Sequence, residues 1–216
     1  MKRTHDQTLG EEIANAVSHG LMALFGIVAM VLLLIRSDRP AETVASIVFG
    51  FSIIQLYLMS TLYHALHHPL AKGVFQRFDH LSIYILIGGT FTPALLLLPA
   101  LTEPVLGPLG GGHLLLIVQW SLITLGVVFK AIWIKRFQKI HLAVYLALGW
   151  SALTFVRELH MFDQRAFWLI LAGGLSYTVG VIFYSFPRIR YFHFVWHIFT
   201  GIGTVLHFIG IYTTLY

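Results

Sequence analysis

Long apolar runs separated by short polar connectors recur along the whole chain. Seven such runs can be drawn, at about 17–35, 42–64, 80–100, 114–134, 140–158, 167–186 and 192–214. Each is close to the ~20 apolar residues a helix needs to cross a hydrocarbon core of about 30 Å. Within lipid a helix meets all its backbone hydrogen-bonding needs inside one segment. The pattern predicts an all-α membrane protein, a seven-transmembrane helix bundle.

The connectors are short. RSDRPAE joins the first span to the second, and HHPLAKGVFQRFD the second to the third, where Pro69 argues against helix continuation. TEPVLGPLGGG is rich in proline and glycine, and KRFQK, HMFDQR and PRIRY complete the set. No long linker or repeat divides the chain. Residues 1–216 therefore read as a single seven-helix domain behind a short polar N-terminal segment of about residues 1–16. That segment has no short apolar core with a small-residue cleavage site, so it does not resemble a removed signal peptide.

Composition strengthens this picture. Hydrophobic residues make up 57% of the chain and charged ones only 11%, with a mean hydropathy of +0.80. Soluble domains carry about 25% charged residues. The chain contains no cysteine, which excludes disulfides, thiolate metal sites and cysteine nucleophiles. The net charge of +5 is better read as membrane orientation than as nucleic-acid binding, because cytoplasmic loops concentrate Lys and Arg. Ten bases fall on one side: Lys2, Arg3, Lys72, Arg77, Lys130, Lys135, Arg136, Lys139, Arg188 and Arg190; the other four are Arg36, Arg39, Arg157 and Arg165. The expectation is an N-terminus in the cytoplasm and a C-terminus outside.

That threading gathers chemistry at one membrane level. His64 ends span two, Asp79 opens span three, and His193 and His197 open span seven, all at the expected cytoplasmic end. Ionisable residues in spans are costly and face the bundle interior or a watery cavity. His193 and His197 are four apart, on one helix face, where both imidazoles can reach one metal at about 2.0–2.1 Å. His64 is the candidate third ligand. A catalytic zinc keeps three protein ligands and a water, which Asp79 would hold or deprotonate for attack on a carbonyl. Ser60, one turn before His64, would bond an outer-shell group.

Plainer readings stand beside these. An H-x-x-x-H pair alone is a weak signal, Asp79 has Arg77 and Lys72 as alternative partners, and Ser60 suits helix packing. His67, His68 and His80 are rival ligands on the same side. His207 lies about ten residues past His197, some 15 Å along the axis, and fits packing or a relay. Glu12, Asn15 and His19 recur at helical spacing and could cap the helix, bond loops or line the cavity mouth, the structural role coming first. The pairs Gly88–Gly89 and Gly173–Gly174 fit close helix contacts.

The runs EEIANAVSHG, STLYH, FDHLSIYILIGGTFTP and HFVWH, in this order, resemble the hemolysin III branch of the progestin and adipoQ receptor family. The resemblance spans almost the whole chain, and the short tail fits a bacterial member. It implies a seven-helix fold with an inside N-terminus and zinc held by the histidines of S-x-x-x-H and H-x-x-x-H, here His64, His193 and His197. It also implies that Asp79 contacts the water on zinc and that Ser60 is the motif serine. The eukaryotic relatives are linked to ceramide hydrolysis. The expected function is thus a zinc-dependent, ceramidase-like hydrolase of a lipid amide or ester. It would sit in the bacterial cytoplasmic (inner) membrane, with membrane lipid as substrate or ligand and its metal site near the cytoplasmic face. The alternatives are a non-enzymatic hemolysin III-type cytolysin or regulator of membrane homeostasis with structural zinc, and an ion or proton pathway on the buried histidines.

Overall fold

The structure, a computed structural model, describes residues 7–134 and 136–216; the bases Lys2, Arg3 and Lys135 counted above lie outside the described residues. Seven helical spans long and apolar enough to cross a membrane run through it. They are α1 (Leu9–Ile35), α2 (Pro40–Ala65), α3 (Pro69–Leu97), α5 (Gly111–Ile132), a broken fifth span over Gln138–Phe162, α8 (Gln164–Tyr184) and α9 (Phe192–Thr214). The protein is an all-α seven-transmembrane bundle.

Two spans begin well before their apolar runs. A capping box sets the start of α1: the Thr8 hydroxyl accepts from Glu11 N–H, and Glu11 Oε2 accepts from Thr8 N–H at 2.8 Å. Two orphan donors of the first turn are satisfied in this way. Pro69 stands in the first turn of α3, where a missing N–H costs nothing. The proline that blocks continuation of α2 therefore starts the next helix, and most of the polar connector HHPLAKGVFQRFD is helical. Asp79 consequently sits well inside α3 and not at its start.

The connector TEPVLGPLGGG folds into a short helix, α4 (Pro99–Thr102), and a two-stranded hairpin, β1 (Pro104–Leu106) with β2 (Leu109–Gly110). Gly107 takes the left-handed conformation at its turn, with φ +57°. The fifth span is α6 (Gln138–Trp150), a 3₁₀ turn (Ser151–Phe155) and α7 (Val156–Phe162). Here the Ser151 hydroxyl donates back to Leu148 O at 2.6 Å and that of Thr154 to Ser151 O at 2.8 Å. Hydroxyls bonding the preceding turn in this way bend helices.

α2 packs along both α1 and α3, α8 along α9, and α1 against α9, while α5 leans on α3. The largest core cluster joins α1, α2 and α9 through Leu33, Phe49, Ile53, Tyr57 and Phe208. One face of α1 turns inward as Glu11, Asn15, His19, Ala23, Gly26, Ala29 and Leu33. Leu21, Leu24, Val28 and Val31 point outward. This is the arrangement of a membrane bundle, polar and small residues inside and large apolar ones outside. Gly89 permits the tightest approach of α2 to α3: a Cβ there would overlap Ser52 and stand 3.1 Å from Val48 O. Of the second pair, Gly173 lies under the His207 ring, whereas Gly174 meets nothing within 4 Å.

Candidate metal centre

The three histidines are carried by α2 and α9, at the bundle end where α1 and α9 start and α2 stops. Their ligand nitrogens all lie within 4.8 Å of one another. His193 and His197, one turn apart on α9, place their Nε2 atoms 3.1 Å apart. The His64 ring centroid is 5.2 Å from that of His193 and 5.1 Å from that of His197. Tetrahedral zinc with nitrogen ligands at about 2.0–2.1 Å requires nitrogens about 3.3–3.4 Å apart. The α9 pair, at 3.1 Å, stands close to that spacing, and His64 lies within 4.8 Å of both.

Two of the rings, His64 and His197, are held from behind. Glu12 Oε2 lies 2.7 Å from His64 Nδ1, and Glu12 Oε1 accepts from Lys72 Nζ at 2.8 Å. A carboxylate only accepts, so Nδ1–H donates to Glu12, which leaves Nε2 facing the site. That Nε2 is buried and has no hydrogen-bond partner. Across the site, His197 Nδ1 is 3.4 Å from Ser18 Oγ, whose hydroxyl donates to Asn15 O at 3.0 Å. With its hydrogen committed to the carbonyl, Ser18 Oγ accepts from Nδ1–H, and the Nε2 of His197 is left facing the site too. Two imidazoles that present Nε2 to the site, each oriented by an outer partner at Nδ1, match the donor set of a metal. The 3.1 Å gap between His193 and His197 calls for a proton or a cation between them.

The first turn of α1 ties these helices together. Beside Glu12, Glu11 Oε1 accepts from Tyr191 N–H at 2.8 Å. Tyr191 is the left-handed residue that precedes α9, with φ 61°. One acid thus anchors the start of the helix bearing His193 and His197, and its neighbour anchors His64.

Asp79 lies beside Ser60 and within electrostatic reach of His64, with Tyr63, Tyr145 and Tyr184 also around it. Ser60 is fully buried and its hydroxyl makes no hydrogen bond of good geometry. Among the described residues Asp79 forms no ion pair: Lys72 is taken by Glu12. His67 and His68 are exposed and outside the cluster. His80 is not among the three clustered ligands, and its backbone carbonyl accepts from Tyr145 Oη at 3.1 Å. His207 Nε2–H donates to Ile170 O at 3.0 Å, a packing position away from the cluster.

Two neighbours of the site were read from the sequence as structural residues first, with the cavity mouth as the alternative. Glu12 bonds His64, and His19 stacks on His197 with centroids 3.4 Å apart and planes 6° from parallel. The available signal was the stripe Glu11, Asn15, His19 on the inner face of α1. Polar residues spaced four apart inside a span face the bundle interior.

Residues 7–208 match the family described as Haemolysin-III related. The chain is 37% identical to Hemolysin-3 of Bacillus cereus over 206 residues, covering 94% of this chain and 90% of the relative. It is 39% identical to the Hemolysin-3 homolog of Bacillus subtilis (strain 168) over 207 residues, covering 93% and 92%. The human Monocyte to macrophage differentiation factor is 27% identical over 215 residues, covering 97% and 86%. The match runs over nearly the whole length of this seven-span bundle, and the chain belongs to the haemolysin-III-related family of integral membrane proteins.

Proposed function

We propose that this protein is a zinc-dependent membrane hydrolase that cleaves a lipid amide or ester, with His64, His193 and His197 as the metal ligands and Asp79 as the general base. The orphaned Nε2 of His64 carries this reading: it is buried, fixed by Glu12, and set beside two histidines whose nitrogens are 3.1 Å apart. Zinc held by such a set polarises a carbonyl and makes water acidic near neutral pH.

The remaining work falls to the chain. Asp79 takes the proton of the attacking water and returns it to the leaving amine or alcohol, a role in which a positioned carboxylate contributes about 10²–10⁴ in rate. Ser60, whose buried hydroxyl has no other partner, stands beside Asp79 and would aim it once the water is in place. The three tyrosines around Asp79 restrict water. We place this end of the bundle at the cytoplasmic face of a bacterial membrane, because ten of the fourteen Lys and Arg residues fall on that side. The whole chain acts as one domain.

The second reading, a membrane-disrupting or membrane-regulating protein with a structural metal, is favoured by the names of the two Bacillus relatives. Asp79→Ala separates the two. In purified protein offered N-acyl and O-acyl lipids, the hydrolase reading expects retained metal and a loss of turnover of about 10² or more. A metal-loaded wild type that turns over none of these lipids contradicts it and favours the second reading.

A further inference from the structure

His19 brings a fourth imidazole to the metal centre, and its place there differs in kind from that of the other three. It lies on the inner face of α1, 3% exposed. Nitrogens about 2.0–2.1 Å from zinc at tetrahedral angles, with ring centres about 1.1 Å further back, hold co-ligating imidazoles about 5 Å apart centre to centre. His64 stands 5.2 Å from His193 and 5.1 Å from His197, and His193 stands 4.6 Å from His197. His19 is only 3.4 Å from His197, with the planes 6° from parallel. Rings in that relation do not aim their nitrogens at one ion. His19 is no ligand beside His197, and what it offers the site is its flat face.

At this distance and angle the two rings lie face on face with almost no offset. Aromatic pairs prefer an offset stack or an edge-to-face contact to such a sandwich. A metal drawing on His197 reverses that preference: it leaves the ring electron-poor, and the face of a neighbouring ring attracts positive charge. Neither nitrogen of His19 has a hydrogen-bond partner among the described residues, so no polar contact dictates the arrangement. Tyr57 backs the stack, its ring meeting that of His19 edge to face at 4.8 Å and 85°. Tyr57 is itself pinned to α9, where its Oη donates to Thr200 O at 3.1 Å and lies 2.6 Å from Thr204 Oγ1. The contacts close a circuit from His197 on α9 through His19 on α1 and Tyr57 on α2 back to α9.

We propose that His19 is a positioning residue of the metal centre: stacked on His197, it holds that ring in the plane from which Nε2 meets the ion, without ligating the ion itself. The inference rests on the reading of His64, His193 and His197 as metal ligands. The contact of Ser18 Oγ with His197 Nδ1, 3.4 Å long, leaves the imidazole able to pivot. A flat ring lying on its face does not. Ser18 and His19 are adjacent, so one turn of α1 fixes His197 at both edge and face.

The test uses the full-length protein in detergent, stripped of metal. It is reloaded with Zn2+ in competition with a chromophoric chelator, or with Co2+ for its visible absorption. His19→Leu keeps the bulk and removes the flat ring, and it should weaken zinc about tenfold or more, as loss of an outer partner does. His19→Phe keeps the flat ring and removes both nitrogens. Its zinc affinity should stay within about threefold of wild type, and its Co2+ absorption should be unchanged because no ligand is lost. Should size-exclusion chromatography find either variant aggregated, Tyr57→Leu removes the ring behind His19 and should weaken zinc about threefold or more, with one zinc still bound at saturation. Wild-type affinity in His19→Leu, or in Tyr57→Leu where it stands in, overturns the proposal. So does a His19→Phe variant that loses as much affinity as His19→Leu or alters the Co2+ absorption, since either marks His19 as a nitrogen donor. Those outcomes, with metal bound by the wild type, overturn this inference alone; a wild type that takes up neither metal overturns the metal reading and this inference with it.

Discussion

Glu12 and His64, fifty-two residues apart in sequence, meet at 2.7 Å between Oε2 and Nδ1. The contact sets which nitrogen of His64 faces its two partner histidines. Outer-shell carboxylates of this kind are worth about 10–100-fold in metal affinity. Glu12→Gln should weaken zinc binding within that range while leaving one zinc per chain at saturation, as read by competition with a chromophoric chelator. Wild-type affinity in that variant would show that the carboxylate only tethers α1.

Lys72 bonds the other oxygen of Glu12 at 2.8 Å. Lys72→Met should therefore weaken zinc less than Glu12→Gln does, because the carboxylate keeps its bond to His64. An effect larger than that of Glu12→Gln would mean that the ion pair itself positions α3.

Close packing of α2 on α3 rests on Gly89, where a Cβ would overlap Ser52. Overpacking of a rigid contact costs about 1–3 kcal/mol. Gly89→Ala should lower the melting temperature in detergent. Gly174→Ala, which meets open space, should be neutral or stabilising, since alanine is the better helix former. Equal melting temperatures for the two variants would contradict the assigned contact.

Asp163 caps α8: its Oδ1 accepts from Arg165 N–H at 2.7 Å and Ala166 N–H at 3.0 Å, and its Oδ2 from Thr214 Oγ1 at 3.1 Å. The Ala166 N–H, joined by the Thr214 hydroxyl and Arg165, holds this carboxyl below the usual carboxylate range. A depressed native value stabilises the fold above the unfolded value of about 3.9 and is lost as pH falls through the lowered native value. The melting-temperature difference between wild type and Asp163→Asn should be constant above about pH 5 and shrink below about pH 4. A difference that persists unchanged into acid would contradict the capping role.

Much of the fold was legible because lipid leaves a chain few options. Seven apolar runs matched seven spans, since each had to satisfy its backbone internally. The starts of α1 and α3 were not legible from hydropathy: Thr8 with Glu11, and Pro69, extend those helices into polar sequence. The hairpin at Gly107 and the 3₁₀ break at Ser151 depend on local turn chemistry that hydropathy does not register. At the site, the four-residue spacing of His193 and His197 placed them together, and the shared membrane level brought in His64. Glu12 was read as a cap because its contact with His64 joins α1 to α2, and helical spacing says nothing about which neighbour a face meets. His19 was set aside for the same reason.

The central claim, that His64, His193 and His197 form one metal site, is tested most directly by elemental analysis of the purified full-length protein. The account predicts about one zinc per chain in the wild type and loss of most of it in His197→Ala, with the variant still monodisperse. Wild-type protein without stoichiometric metal, or His197→Ala with the full complement, would contradict it.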